Sequence, residues 1–363
     1  MYYTDVTKSR QGFLLNSCIK HLIIRIICIT FYSKIIREDK LLNKVKIGVI
    51  GVGHLGRFHS LNYAQLPDAE LIGIYDVDKE RADAVAKEAS TKSFESIDEL
   101  LEQVDGVSIA VPTDLHFKVA QQVLNKSIPC LIEKPIAQNL EEADTLINLA
   151  RQNNTFIQVG HIERFNPAFR ALSEFDIRPM FIESHRLSPF NPRGTEVAVV
   201  LDLMIHDIDI VLHLVKSPVK SIDASGVAVV SDTADIANAR IHFENGCVAN
   251  LTASRISQKK MRKMRMFQKD TYVTVDFLQK ISEIYRLESS DGKSDMILGE
   301  IGVGEKKKKV AYYRPQIPEG DGLYMELTAF INSITGSKAE GVPGEAARSA
   351  LDIAISILKQ MEK

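Results

Sequence analysis

Tryptophan is absent from the chain and cysteine is scarce, limited to Cys18, Cys28, Cys130 and Cys247. No two of them form a CxxC pair and no spacing suits zinc. That argues against a disulfide scaffold or a zinc module, and for free thiols in a reducing compartment, expected to be the cytoplasm. An excess of one charge is lacking too. Lys and Arg number 45 and Asp and Glu 47, a formal charge of −2, so no nucleic-acid partner is expected. Long apolar runs are also missing. The nearest, residues 22–32 (LIIRIICITFY), is broken by Arg25 and Thr30 and flanked by Lys20, His21 and Lys34. It is too short to span a bilayer and no small-residue cleavage site follows it, so no stable membrane insertion is expected. Residues 1–44 as a whole carry eight Lys/Arg against three Asp/Glu. They read as a membrane-surface helix, as a targeting segment, or as sequence upstream of the true start. The last is the expectation, and the stretch is expected to stand outside the fold.

What remains is an ordinary soluble composition, 45% apolar and 25% charged over 363 residues, enough for two domains. The most informative stretch is residues 45–76. An apolar run leads into Gly51-Val52-Gly53-His54-Leu55-Gly56, a helical pattern follows, and a second apolar run ends on Asp76. Each part suits a dinucleotide. Gly51 permits the tight strand-to-helix turn, Gly53 lets the backbone approach a pyrophosphate, and Gly56 lets helix and strand pack closely. The N–H groups that open the helix, at His54 and Leu55, face the phosphates. Asp76 follows Gly56 by 20 residues, where a carboxylate bonds both ribose hydroxyls and repels a 2′-phosphate. The expected cofactor is therefore NAD.

Apolar runs at 46–50, 70–75, 106–110, 130–132 and 156–159 alternate with helical patterns at 55–65, 79–89, 97–103, 115–125 and 140–153. Such alternation predicts βαβ units and a parallel sheet covered on both faces. Beyond residue 160 the runs become longer and more alternating, at 180–186, 221–230, 237–244, 247–255, 262–268 and 271–277. Asn245-Gly246 between two of these is a strong hairpin signal. The expected class is α/β: a Rossmann domain over 45–162, then an α+β domain over 163–363 with a large, mainly antiparallel open sheet. Helices are expected at 197–215, 324–334 and 344–361, and an exposed turn at 302–309 (GVGEKKKK).

Four constellations carry chemistry. Pro112-Thr113-Asp114-Leu115-His116 follows the third strand, at the strand ends where ligands bind in open α/β sheets, and it also serves as a helix-capping turn. Glu133-Lys134-Pro135 follows the fourth, placing a lysine where it can hold a substrate hydroxyl or tune a neighbouring acid–base group. In 197–215, Asp202, His206, Asp209 and His213 share one face of an otherwise apolar helix and Asp207 points elsewhere. A His–Asp pair one turn apart suits a general base oriented by a carboxylate; a satisfied polar seam is the alternative. No third and fourth ligands declare themselves, so no metal is expected. Finally, in His161-Ile162-Glu163-Arg164-Phe165-Asn166-Pro167, Arg164 either grips a diphosphate or carboxylate, or forms an interdomain ion pair.

Taken in order, the glycine turn, Asp76, Pro112-Thr113 with His116, Glu133-Lys134-Pro135 and Asp202-x-x-x-His206 resemble the Gfo/Idh/MocA family over residues 45–363. The resemblance implies hydride transfer between a sugar-like carbinol and nicotinamide, with Lys134, Asp202 and His206 as the catalytic set and His206 as general base. It implies a homodimer or homotetramer built through the open sheet. Residues 159–167 and 202–209 are most similar to members acting on nucleotide-sugars. They imply oxidation of UDP-N-acetylglucosamine at its 3-hydroxyl, for diamino sugars of the cell envelope, with Arg164 and Asn166 also on the substrate side. The lead Glu196-Val197-Ala198-Val199-Val200 is not glycine-rich, unlike that of many members, which weakens an assignment to the inositol or glucose branches. A dehydrogenase of a free polyol or sugar, and a non-catalytic NAD-binding regulator, are the alternatives.

Overall fold

The computed structural model describes residues 44–191, 197–288, 296–304, 307–337 and 341–362. The apolar stretch at 22–32 and Lys306 lie outside the described residues. In the first half, β1 (Val45–Ile50), α1 (His54–Tyr63), β2 (Ala69–Tyr75), α2 (Lys79–Glu88), the two-residue β3 (Lys92–Ser93) and α3 (Ile97–Leu101) come first. They are followed by β4 (Gly106–Ile109), α4 (Thr113–Asn125), β5 (Cys130–Glu133), α5 (Leu140–Gln152) and β6 (Ile157–Gly160). Side chains mark several helix starts. Asp78 accepts from Arg81 N at 3.1 Å, Ser96 from Glu99 N at 3.2 Å and Asn139 from Glu142 N at 2.9 Å, each satisfying an orphan N–H of its helix.

All six strands run parallel in the order β3-β2-β1-β4-β5-β6. β4 and β6 are buried along their whole length, as a sheet covered on both faces requires. The order reverses between β1 and β4, which opens a crevice beyond their carboxyl ends.

A 3₁₀ turn (Ile162–Phe165) and α6 (Pro167–Arg170) cross to the second half. There β7 (Phe181–Leu187), a π-helical turn (Val200–Met204) and α7 (Ile205–Val215) precede a run of strands. The run comprises β8 (Val219–Val227), β9 (Ile236–Phe243), β10 (Val248–Ser254), β11 (Met261–Gln268), β12 (Thr271–Asp276), β13 (Ile281–Glu288), β14 (Ile297–Ile301) and β15 (Lys308–Tyr313). The nine strands lie in the order β14-β15-β13-β12-β11-β7-β10-β9-β8. Only β7 and β10 pair in parallel. Asn245-Gly246 turns β9 into β10, with Gly246 at φ 84°. One face of the sheet packs Ile182, Ile241, Leu251, Met264, Val273 and Ile284 under α7. The other carries a row of rings, Phe181, Phe267, Tyr272, Tyr285 and Tyr312, with successive centroids 5.9, 4.8, 5.6 and 5.3 Å apart.

One expectation is corrected and another narrowed. The segment 197–215 is not one α-helix: its first part is a π turn and only Ile205–Val215 is α. The expected exposed turn at 302–309 lies between β14 and β15, with Gly302, Val303, Gly304 and Lys307 exposed, but its last two residues, Lys308 and Lys309, belong to β15, with Lys308 Nζ 2.6 Å from Asp270. Charged residues on strands near a sheet edge read as loop in sequence because they keep the edge soluble.

α8 (Gly322–Ile334) and α9 (Gly344–Met361) close the chain. The expected division at 162/163 groups α8 with the second half, yet its Leu327, Phe330 and Ile331 pack with Ile47, Tyr63 and Leu131 around the first sheet. α9 contributes Leu351 to the first sheet's core and Ala354 and Ile357 to the second's. Cys130 and Cys247 are buried free thiols. Among the described residues no helix is long and apolar enough to cross a membrane. Phe330 is fully buried. Phe330→Ala is expected to lower stability by about 3–5 kcal/mol in urea denaturation.

Candidate active site

The crevice between β1 and β4 is lined by main chain. Gly51 sits at φ +82°, where a Cβ would also press on Val111 Cγ1 at 2.7 Å and the Ala110 backbone at 2.9 Å. A Cβ on Gly56 would meet Gly51 O at 1.8 Å, so only glycine lets α1 approach β1 this closely. Gly53 differs: a Cβ there would meet nothing within 4 Å. The N-terminus of α1, at His54 and Leu55, has no side-chain cap and no acidic residue in its first turn. Open space over bare N–H groups and a positive dipole end suits a pyrophosphate, so the residues present fit the dinucleotide expected from sequence.

Asp76 stands at the edge of that turn. Its Oδ2 accepts from Val52 N at 2.7 Å and its Oδ1 from Asp78 N at 2.9 Å, with Arg81 Nη2 at 2.8 Å from Oδ1. Burial alone would raise this carboxyl, but the bonds from Arg81, Asp78 and Val52 and the Arg81 charge hold it below the usual carboxylate range. Pro112 and Thr113 open α4 beside the crevice. His116 is buried, with ring nitrogens 2.8 Å from Pro135 O and 3.0 Å from Val111 O. It therefore ties the turn after β4 to the turn after β5.

The turn after β5 presents Lys134. Glu133 anchors it: His59 Nε2 on α1 lies 3.0 Å from Glu133 Oε1, and Lys134 N donates to Glu133 Oε2 at 3.3 Å. Burial would raise the Glu133 carboxyl, but His59 and Lys134 hold it below its ordinary range. Lys134 Nζ then reaches across to the π turn, donating to Asp202 O at 2.8 Å and lying 3.4 Å from Asp202 Oδ1. His206 follows one turn later, its ring edge-to-face with that of His161 at 6.4 Å between centroids. Burial pulls the His206 imidazole well below its ordinary value, and Lys134, Arg186, His161 and Arg262 lower it further, so it rests neutral. The structure thus gathers Lys134, Asp202 and His206 above the carboxyl end of β5.

Two expected substrate residues are engaged elsewhere. Arg164 grips Asp209 with both prongs, Nε to Oδ2 and Nη2 to Oδ1 at 2.7 Å each, and its Nη1 lies 2.8 Å from His213 Nδ1. Asn166 caps α6 through Ala168 N at 3.1 Å and donates to Glu163 Oε2 and Phe277 O at 3.1 Å each. Asp209 and His213, half of the polar face read from sequence, therefore belong to the Arg164 ion pair.

Several buried groups carried no sequence signal. Arg186 on β7 binds Asp207 at 2.7 and 3.1 Å and Glu163 at 2.8 Å, and Arg262 reaches Glu163 at 3.2 Å while 46% exposed. Glu326 on α8 is fully buried with neither oxygen bonded to a described residue, and burial with the nearby Glu133 and Asp209 charges pushes it well above the carboxylate range. A polar residue in an apolar segment is the only hint available in sequence; its partner lies on another element. Among the described residues no cluster could hold a metal ion.

Residues 45–161 match the model of the oxidoreductase family with an NAD-binding Rossmann fold, and residues 178–273 match the Gfo/Idh/MocA C-terminal domain. The chain is 39% identical over 319 residues to a UDP-N-acetylglucosamine 3-dehydrogenase of Acidithiobacillus ferrooxidans, covering 88% of this chain and 97% of that one. A solved structure of that enzyme aligns with a TM-score of 0.78 at 38% identity, over 88% of this chain and 98% of the other. A scyllo-inositol dehydrogenase of Lactobacillus casei shares the fold at a TM-score of 0.70 and 21% identity, over 88% of this chain and 96% of its own. With identity of this order running through both halves, the chain belongs to the Gfo/Idh/MocA family of oxidoreductases, whose Rossmann domain binds NAD.

Proposed function

We propose that the protein oxidises the 3-hydroxyl of UDP-N-acetylglucosamine to the ketone. The observation that carries the chemistry is the reach of Lys134 across the crevice to Asp202, one turn before the neutral base His206. The choice of substrate is supported by the 39% identity to a dehydrogenase of that nucleotide-sugar. Bound NAD supplies the hydride acceptor. The open side of Gly53 and the N-terminus of α1 would hold its pyrophosphate, and Asp76 its ribose hydroxyls. An ammonium has three donors. Lys134 directs one or two at Asp202 and keeps at least one for the substrate oxygen, where its charge stabilises the developing alkoxide. His206 removes the hydroxyl proton, and Asp202 holds Lys134 in place. Arg262, half exposed at the same junction, is better placed to meet a diphosphate than Arg164, whose fork Asp209 occupies.

The 3-keto product is a substrate suited to transamination. That would place the protein in cytoplasmic diamino-sugar synthesis for lipopolysaccharide or a related envelope polymer. The row of rings on the uncovered sheet face supports a homodimer or homotetramer formed through that face.

Purified protein is expected to form NADH with UDP-N-acetylglucosamine, with a ketone trap present, and not with UDP-glucose, free N-acetylglucosamine or myo-inositol. NADH from inositol or a free sugar would assign it to polyol oxidation instead. Lys134→Ala and His206→Ala should each cut turnover by about 10²–10⁴-fold while NAD affinity stays within about twofold. Wild-type turnover in either would refute that residue's role. Because the His206 imidazole is depressed, the base remains available as pH falls. kcat/KM should stay level down to about pH 6.5 and drop only below it. Gly53→Ala should fold with unchanged melting temperature yet lose NAD affinity by at least about tenfold, whereas Gly56→Ala should lower both; calorimetry and NAD titration separate the two. Tyr285→Asp should dissociate the oligomer in analytical ultracentrifugation, and an unchanged mass would rule out this face.

A further inference from the structure

Three ring nitrogens lie buried in the centre of the site with no hydrogen-bond partner among the described residues: Nδ1 of His206 and both nitrogens of His161. The two rings meet edge-to-face at 84° with centroids 6.4 Å apart. Beyond them, His161 Nδ1 is 4.0 Å from Asp209 Oδ2, which Arg164 Nε holds at 2.7 Å. Buried polar atoms are rarely left unsatisfied, and an ordered water is the usual partner of those that no protein group meets. The row runs from the base, through a second histidine, to a buried carboxylate.

The charge around the base makes such a row useful. An imidazolium at His206 would face the cations Lys134, Arg186 and Arg262. One ring further in, the surroundings change. His161 is flanked by Asp209 on α7, Arg164 on the 3₁₀ turn, and Glu133 and Lys134 at the end of β5, so two anions stand against two cations. Glu326 on α8, a neutral acid in the field of Asp209 and Glu133, adds no positive charge. Burial keeps His161 itself neutral at rest.

We infer that His161 is a proton relay for His206, storing beside Asp209 the proton that leaves the substrate hydroxyl. The inference rests on the reading of His206 as the general base. In the step, the substrate O–H bond breaks and its proton bonds to His206 Nε2. The N–H bond at His206 Nδ1 breaks, and that proton passes through one water to a nitrogen of His161. With NAD bound, the nicotinamide would accept the carbinol hydrogen as hydride, leaving the ketone. His206 stays neutral, and the positive charge rests on His161 against Asp209. After product leaves, Nε2 gives its proton to water and His161 returns its own to Nδ1, so one proton is released per turnover. Asp209 acts here through a charge already stabilised by Arg164, and so need not itself be protonated.

Two measurements on the full chain with NAD bound test the relay. Long-range ¹H–¹⁵N spectra of labelled histidine should show His206 with its proton on Nδ1. A resting Nε2–H form overturns the relay whatever the substrate proves to be. In turnover of UDP-N-acetylglucosamine, His161→Phe should lower kcat by about 10- to 100-fold, leave KM and NAD affinity within about twofold, and raise the solvent deuterium isotope effect. His161→Gln keeps a polar group for the water but takes no proton. It should be as slow as His161→Phe, and it carries the test if the phenylalanine variant folds poorly. Wild-type kcat and isotope effect in the glutamine variant would show that His161 only holds water, and the relay would be wrong. His206→Ala run in parallel separates the two readings. If it is inactive while both His161 variants run at the wild-type rate, the relay alone fails; if it retains turnover, the base assignment fails and the relay with it.

Discussion

Charge buried between the two sheets is the constraint on which the rest of the structure depends. Arg186 is nearly out of water, and it is tolerated because Asp207 and Glu163 close on it from two other elements. Arg164 does the same for Asp209. Removing one member of such a pair strands the other, at about 3–5 kcal/mol. The pairs join the crossover turn, β7 and α7, so they also hold α7 in one position under the crevice. Among the described residues His206 Nδ1 has no hydrogen-bond partner, and these pairs anchor the helix that carries it.

The two ends of the site solve different problems with different materials. At the cofactor end the work falls to main chain: a bare helix start, a turn only glycine can make, and one carboxylate. At the other end, where we propose that substrate binds, the cations Lys134, Arg186 and Arg262 surround His206. They keep the imidazole neutral, and in the proposed reaction the same field would favour an alkoxide and oppose a proton remaining on the ring. His161, edge-to-face with His206 and 4.0 Å from Asp209, would reconcile those demands in the proposed relay by taking the positive charge one ring further from Lys134.

α8 and α9 tie the ends together. α8 covers the first sheet with Phe330 and Leu327 and carries Glu326 toward Glu133 and Asp209. α9 lends one face to each core. The second sheet is thereby held against the mouth of the first, and Lys134 can span the gap to Asp202 without a long or mobile loop.

Much of this was legible in the amino acids. Glycines at 51, 53 and 56 followed by Asp76 define a turn with few physical alternatives, and continuous apolar strands between helical patterns mean a parallel sheet. The expected β1, β2, β4, β5 and β6 appear within a residue or two of their observed ends, because local periodicity determines them. The strands β13–β15 were not foreseen, since half-exposed residues such as Lys308 and Tyr312 alternate too weakly. The π turn was not foreseen either: its sequence, VLDLM, suits an α-helix. Sequence alone thus determined the cofactor turn and the types of residue available for chemistry, because those depend on backbone freedom and short-range pattern. Tertiary structure decided which polar residue meets which. It sent Arg164 to Asp209, Lys134 to Asp202 and His161 to the back of His206, because a buried charge takes the partner that packing brings near, however distant in the chain.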